Sequence, residues 1–113
     1  MAERADSDRE DTLRDFHDAV NMTASELERW LTTDESRRAG QHKDGGESIG
    51  HASGRRIVAL LRAGKSELDA DDLGHMRKVT GYVHRHLAQR PTGDTTTTTW
   101  RYSLMNWGHD PEK

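Results

Sequence analysis

The chain of 113 residues contains no cysteine, only two prolines and few aromatic side chains. The absence of cysteine excludes disulfide bonds, thiolate metal sites and thiol catalysis. No apolar run approaches the ~18 residues that a membrane span requires, and the polar N-terminus does not resemble a signal peptide. We therefore expect a soluble, cytoplasmic protein with no membrane partner.

Apolar residues are scarce as well, since 31% of positions are hydrophobic and 33% are charged. A chain of this length is expected to form one domain with a thin core. Its charge is uneven: residues 1–36 hold 11 acidic and 4 basic side chains, and residues 37–90 hold 6 acidic and 11 basic ones. The net charge of −3 argues against a generic nucleic-acid binder. The basic middle keeps that function open, unless the acidic segment folds against it and cancels it.

Helical periodicity is present in the first third of the chain. Residues 1–10 form an acidic segment without an apolar anchor, which is expected to be disordered. A short helix is expected from Asp11, and the capping box Thr23-Ala-Ser-Glu26 predicts the start of a second helix. A brief third helix over residues 34–39 and a glycine-rich loop over residues 40–50 follow.

Two further helices carry most of the basic residues. The first is expected to begin at Ser53 or Gly54 and to end near Ala63. The second has Asp69 as its N-cap and ends before Pro91. A glycine inside this long helix, Gly81, is expected to mark a close approach of another backbone.

The pattern after Pro91 predicts an extended segment. The β-branched run over residues 95–99 disfavours a helix, and Trp100, Tyr102 and Leu104 alternate with polar residues. We expect residues 92–113 to form an extended C-terminal arm in which Trp107 packs on the helices. The predicted fold class is all-α: a small compact bundle of four or five short helices, covered by this arm, in a single helical domain over residues 11–113.

The assembled segments resemble a protein family catalogued as domain of unknown function 3140, which is found in bacteria and fungi. The resemblance covers residues 16–111 and rests on four stretches, FHDAVNMTASELERWL, GESIGHASGRRIVALL, DLGHMRKVTGYVHRHLAQRP and WRYSLMNWGHDP. The family has no established activity, so the resemblance implies no catalytic residues. Some members carry a DNA-binding label, and the resemblance implies DNA binding to that extent.

A serine-glycine pair, Ser53 and Gly54, precedes Arg55 and Arg56. Free backbone N–H groups and the helix dipole favour anions where a helix begins. This pattern therefore predicts a phosphate contact at the start of the helix. The alternative is that Ser53 only caps the helix while the two arginines pair with the acidic N-terminal helices. A nucleotide-binding P-loop is excluded because its glycine-lysine signature is absent.

The long helix has a polar face with basic residues at helical spacing. Residues 74–90 contain four Lys or Arg residues and no acid, whereas a solubilising surface normally mixes both signs. Such a face can follow a phosphate backbone, and an ordinary solvated face is the alternative. The residues expected to contact nucleic acid or another anion are His51, Ser53, Arg55, Arg56, Arg62, His75, Lys78, Tyr82, Arg85 and Gln89.

Metal binding and catalysis have weaker support. His84 and His86 point to different sides of a helix, and His84 is expected at the edge of the core. A metal site formed across the fold by His51, His109 and Asp110 is the alternative, but His109 and Asp110 are expected instead to satisfy backbone groups and so to hold the arm in place. We expect no cofactor, no metal and no enzymatic activity. The predicted function is a DNA-binding module that contacts phosphates without sequence preference, and the alternative is a protein–protein interaction module.

Overall fold

The structure, a computed structural model, describes residues 2–39 and 48–113, with side chains described from residue 8 onward. Within these ranges the chain is all-helical and contains no strand, which confirms the predicted fold class. Its six α-helices are α1 (Ala2–Ala19), α2 (Ala24–Trp30), α3 (Asp34–Arg38), α4 (Ile49–Arg62), α5 (Ala70–Leu87) and α6 (Thr99–Asn106), with a short 3₁₀ helix at Lys65–Glu67 between α4 and α5. Most of the predicted loop over residues 40–50 lies outside the described residues.

Helix α1 packs along α5, and α2 packs along α4. Leu13 and Phe16 of α1 are buried with Met76, Val79 and Val83 of α5, so the apolar stripes that the sequence shows on both helices form one core. The helical backbone of α1 begins at Ala2, inside the segment that was expected to be disordered.

The predicted helix starts at residues 23 and 69 are confirmed by their hydrogen bonds. The Thr23 hydroxyl accepts from the Glu26 backbone N–H at 3.1 Å, and the Glu26 carboxylate accepts from the Thr23 backbone N–H at 2.9 Å. Asp69 and Asp72 form the same reciprocal pair at the start of α5. These caps pair backbone groups that a helix end would otherwise leave unsatisfied.

The C-terminal segment is not extended, which corrects the prediction. Residues 99–106 form α6, whose start is capped by the Thr98 hydroxyl. Trp100, Leu104 and Trp107 are buried, at helical rather than alternate spacing. The threonine run disfavours helix, but most of it precedes α6 and supplies the cap. Helix α6 contacts α2, α3, α4 and α5, so it is a central element of the fold rather than a cover.

The chain end is held against the connection between α1 and α2, where His109 bonds a backbone group as expected. The His109 side chain bonds the Ala19 carbonyl through Nδ1 at 2.7 Å. The Asn21 side chain accepts from the Asp110 backbone N–H and donates to the Asp110 carbonyl. Asp110 also pairs with Arg101 of α6 at 3.2 Å. These bonds join the last residues of the described chain to α1, to the connection that follows it and to α6.

The closest backbone approach involves Gly54 and not Gly81, which corrects a second prediction. A Cβ placed on Gly54 would lie 2.6 Å from the Asn106 carbonyl oxygen and 2.7 Å from Leu31 Cδ2. On Gly81 it would meet only the flexible end of the Arg85 side chain, at 3.2 Å. A glycine at position 54 therefore lets α4 and α6 approach each other closely.

Candidate nucleic-acid interface

Helix α4 begins five residues earlier than expected, which removes the predicted anion site at Ser53–Arg56. Its N-cap is Ser48, whose hydroxyl accepts from the His51 backbone N–H at 3.0 Å. Ser53 lies inside the helix and is buried, and its hydroxyl shares a hydrogen bond of 2.9 Å with His75 Nε2. The backbone N–H groups near Arg55 and Arg56 consequently donate to carbonyl groups of the helix and are not available to an anion.

The three arginines of α4 point in different directions. Arg62 is paired with Glu28 of α2 through two hydrogen bonds, at 2.9 and 3.2 Å. Arg55 lies on the side of α2, where it lines a shallow depression together with Glu28 and His51. Arg56 faces α5, where its guanidinium lies 3.4 Å from an Asp72 carboxylate oxygen. Only Arg56 is thus on the side of the basic face of α5.

A groove of about 510 Å³ separates α5 from the start of α4 and the end of α6. One wall is formed by α5 and the other by the first turn of α4 and the last turn of α6. The lining residues are Ile49, Gly50, Lys78, Tyr82, Arg85, His86, Ser103, Asn106 and Trp107. This volume lies within the range of ligand pockets in proteins, which is roughly 300–1,000 Å³.

The groove floor belongs to a row of nearly parallel rings that α5 and the C-terminal helix region contribute together. Tyr82 stacks on Trp107 with ring centroids 4.2 Å apart, and on His86 with centroids 5.1 Å apart. His75 continues the row beyond Trp107, and Trp100 continues it beyond His86, each at 6.3 Å. Stacking of this kind holds the groove-lining rings of Tyr82, His86 and Trp107 in place.

Positive charge lines the rim of the groove. Lys78 and Arg85 are exposed on α5, one on either side of Tyr82 along the helix. Arg56 and His75 border a second depression, which shares Ile49, Lys78 and Trp107 with the groove. The N-terminal turn of α4 lines both depressions, and the positive end of its dipole adds to this potential.

Burial lowers the pKa of both histidines of the row and so favours their neutral form. The pKa of His75 is lowered, first by burial and then by the positive charges of Arg56 and Lys78. Burial also lowers the pKa of His86, whose Nε2 atom is buried and has no hydrogen-bond partner among the described residues. The positive charge of the rim near neutral pH therefore comes from lysine and arginine.

The structure brings together His75, Lys78, Tyr82 and Arg85 with Arg56 from the predicted set. Gln89 is exposed one turn beyond Arg85 and does not line the groove. Ser53 is buried beneath this set, where it bonds His75 and lines the second depression. Arg62 is paired with Glu28, and His51 and Arg55 lie at the depression that Glu28 also lines. His51 Nε2 contacts the Leu31 carbonyl oxygen at 2.7 Å.

Two other basic residues of the long helix have separate contacts. Arg77 donates to the Thr12 hydroxyl of α1 at 3.2 Å. Arg90 lies over the Trp100 ring, 5.3 Å from its centroid, and 4.0 Å from a Glu112 oxygen. Two of the four basic residues in the segment 74–90 therefore make contacts elsewhere. Only Lys78 and Arg85 remain on the groove side of α5.

Sequence reasoning missed Ile49, His86 and Trp107 as groove residues. Ile49 lay in the segment predicted as a loop, whereas it belongs to the first turn of α4, and its side chain is 45% exposed. His86 was considered only as a metal ligand, and His84, expected at the core edge, is the exposed one of the two.

In the described part of the chain, no group of three His, Cys, Asp or Glu side chains could hold a metal ion. None of the helices among those residues combines the length and apolar character of a membrane span.

These features define a small all-helical protein with one aromatic groove under a cationic rim. Its family can be stated directly, because the family model described as "Protein of unknown function (DUF3140)" matches residues 15–105. The chain belongs to this family, in agreement with the resemblance noted in the sequence. Searches of the curated proteins and of the solved structures give no match.

Proposed function

We propose that this protein is a non-enzymatic nucleic-acid-binding module of the cytoplasm, with DNA as the expected ligand. Its phosphate contacts would come from Arg56, Lys78 and Arg85. The observation that carries the proposal is that Lys78 and Arg85 are exposed on one face of α5, and neither forms an ion pair with another described residue. Unpaired cations in a row are the electrostatic feature by which proteins hold a phosphate backbone.

The spacing of these side chains suits successive phosphates. Arg85 lies seven positions after Lys78 in the helix, which corresponds to about 10 Å along the axis. A nucleic-acid strand carries phosphates every few ångströms, so both cations can engage one strand. Arg56 can extend the contact past Lys78, although it must share its charge with Asp72.

Binding through three phosphate contacts should be weak and independent of sequence. Non-specific complexes of this type have Kd values of ~10⁻⁴–10⁻⁶ M at physiological salt. The acidic side chains of α1, such as Asp11 and Asp15, border α5 on the side of Arg77 and Thr80, away from the groove. Because salt screens charges over ~8 Å, their repulsion of the ligand should be modest.

The test is a fluorescence anisotropy titration of a labelled 20-base-pair duplex at 50 and 200 mM salt. Three phosphate contacts predict that affinity falls about 40-fold between these concentrations. The double variant Lys78→Gln with Arg85→Gln should bind more weakly at 50 mM salt. Its remaining contact predicts only about a threefold salt effect.

The matched control is Lys65→Gln with Arg29→Gln, which removes the same charge from exposed positions outside the groove. If the control loses as much affinity as the groove variant, the binding is a general charge effect and the assignment of the site is wrong. If the parent protein binds no DNA at 50 mM salt, the proposed function is wrong.

A protein–protein interaction module is the second candidate function. It is favoured by the exposed Ile49 side chain at the edge of a groove with an aromatic floor. An acidic peptide with an apolar anchor would match this chemistry. A module of this kind would not bind the DNA duplex at 50 mM salt, so the same titration separates the two candidates.

A further inference from the structure

We propose that the groove holds an unpaired base, so that the protein prefers single-stranded nucleic acid to duplex; this inference rests on the proposed function. The phosphates on either side of that nucleotide would contact Lys78 and Arg85. The base would enter between α5 and the first turn of α4.

The first argument is the position of the groove relative to the cations. Lys78 and Arg85 stand at the rim, and Tyr82 lies between them on the same wall. A strand that contacts both cations must therefore pass over the groove. In a duplex the bases are paired inside the helix, and only phosphates and sugars would face this opening. In a single strand a base can turn out and fill it.

The second argument is the chemistry of the walls. Ile49, Tyr82 and Trp107 present apolar and aromatic surface, with the Ile49 side chain 45% exposed. Proteins that bind single strands combine such surface with a positively charged track for the backbone. Phosphate contacts to a duplex need no apolar surface beside the cations.

The third argument is an unsatisfied polar atom at the groove. His86 lines the groove, and its buried Nε2 has no hydrogen-bond partner in the described part of the chain. A buried polar atom without a partner is unfavourable and uncommon in folded proteins. The edge of a base carries both donors and acceptors, so a base that displaces the side chains over this nitrogen can pair with it in either tautomer.

The rings of the row are already stacked on one another, which limits how the base can bind. Tyr82 has Trp107 on one face and His86 on the other. The base should consequently contact ring edges and the Ile49 side chain rather than insert between rings. A tolerant contact of this kind predicts little preference among the four bases.

The experiment compares three labelled ligands by fluorescence anisotropy at low salt: a 12-mer of thymidine, a 12-mer with abasic sugars and the same phosphates, and a 12-base-pair duplex. We expect the thymidine strand to bind at least about fivefold more tightly than the abasic strand, which is the lower end of the effect of one base contact. It should also bind more tightly than the duplex.

Two variants locate the base. Ile49→Ser removes exposed apolar surface from the groove, and it should bring thymidine binding close to abasic binding while abasic binding stays unchanged. Ala59→Ser, at another exposed position of α4, is the control and should behave as the parent. Circular dichroism melting curves verify that both variants fold as the parent does.

The outcomes separate this inference from the proposed function. If the abasic and thymidine strands bind equally, phosphate binding stands and the base site is wrong. If thymidine is preferred but Ile49→Ser changes nothing, the base is bound outside this groove and the inference is overturned. If none of the three ligands binds, both the proposed function and this inference are wrong.

Discussion

A single buried amide joins three helices, and its removal should be costly. Asn106 is fully buried where α6 meets α2 and α3. Its Oδ1 accepts from Trp30 Nε1 at 2.8 Å and from the Ser36 hydroxyl at 2.5 Å. Its Nδ2 donates to the Ser36 carbonyl at 3.0 Å. The side chain therefore links α6 to both helices by hydrogen bonds.

The variant Asn106→Ala would leave these groups without their partner. The half-exposed Trp30 indole can turn to water, but the hydroxyl and carbonyl of the buried Ser36 cannot. Each buried polar group left unpaired costs about 1–3 kcal/mol. With a small cavity added, we expect the free energy of unfolding to fall by about 3–5 kcal/mol. That is a large share of the ~5–15 kcal/mol typical of a domain.

Urea unfolding followed by circular dichroism measures this loss. A double-mutant cycle with Trp30→Phe isolates the indole contact, and the coupling energy should reach at least about 0.5 kcal/mol. A loss below about 1 kcal/mol for Asn106→Ala would refute the reasoning. Strict additivity in the cycle would show that the indole hydrogen bond contributes nothing.

Two further predictions concern packing and pH. Gly54→Ala should lower the free energy of unfolding by about 1–3 kcal/mol, because its Cβ would overlap backbone and leucine atoms. A Cβ at Gly74 meets open space in the interior of α5, so Gly74→Ala should raise the free energy of unfolding by up to about 1 kcal/mol. Urea unfolding measures both variants, and a higher free energy of unfolding in both would contradict the packing argument. Burial raises the pKa of Asp110, but its bonds to Arg101 and to the Glu112 backbone outweigh this and lower the pKa below the ordinary value of 3.8. The resulting stability is present above that value and is lost as the pH falls through the lowered pKa, so melting temperatures between pH 5 and pH 2 should fall less steeply in Arg101→Gln than in the parent.

The features that could be predicted from the sequence depend on near neighbours in the chain. The Thr23 and Asp69 caps need only the residues three positions ahead, and both were predicted correctly. The stripe of Met76, Val79 and Val83 identified the buried face of α5, because the helical period is itself a local property.

The start of α4 shows where local information was insufficient. Ser48 and Ser53 can each cap a helix, but the glycine-rich segment over residues 40–50 was predicted as a loop. Packing decided the matter. Ser53 bonds His75 from inside the helix, and a Cβ on Gly50 would lie 3.1 Å from the Trp107 indole nitrogen, so the first turn is held against α6.

The last helix was missed for a similar reason. Apolar residues at positions 100, 102 and 104 fit an alternating strand, whereas those at 100, 104 and 107 fit a helix. Both periods are present in so short a segment, and the burial of Trp100, Leu104 and Trp107 selects the helix. Tyr82 from α5 stacks on Trp107, which no pattern within residues 92–113 could indicate.

By itself, the sequence determined the all-helical class, two of the helix caps and the family, because these follow from local propensity and motif order. It also identified Lys78 and Arg85 as candidates, because helical spacing places them on one face. Only the tertiary structure decided which arginines are paired with acids and which face the groove. The groove depends on Ile49 and Trp107, which are more than 50 residues apart and meet only when α4 and α6 pack together.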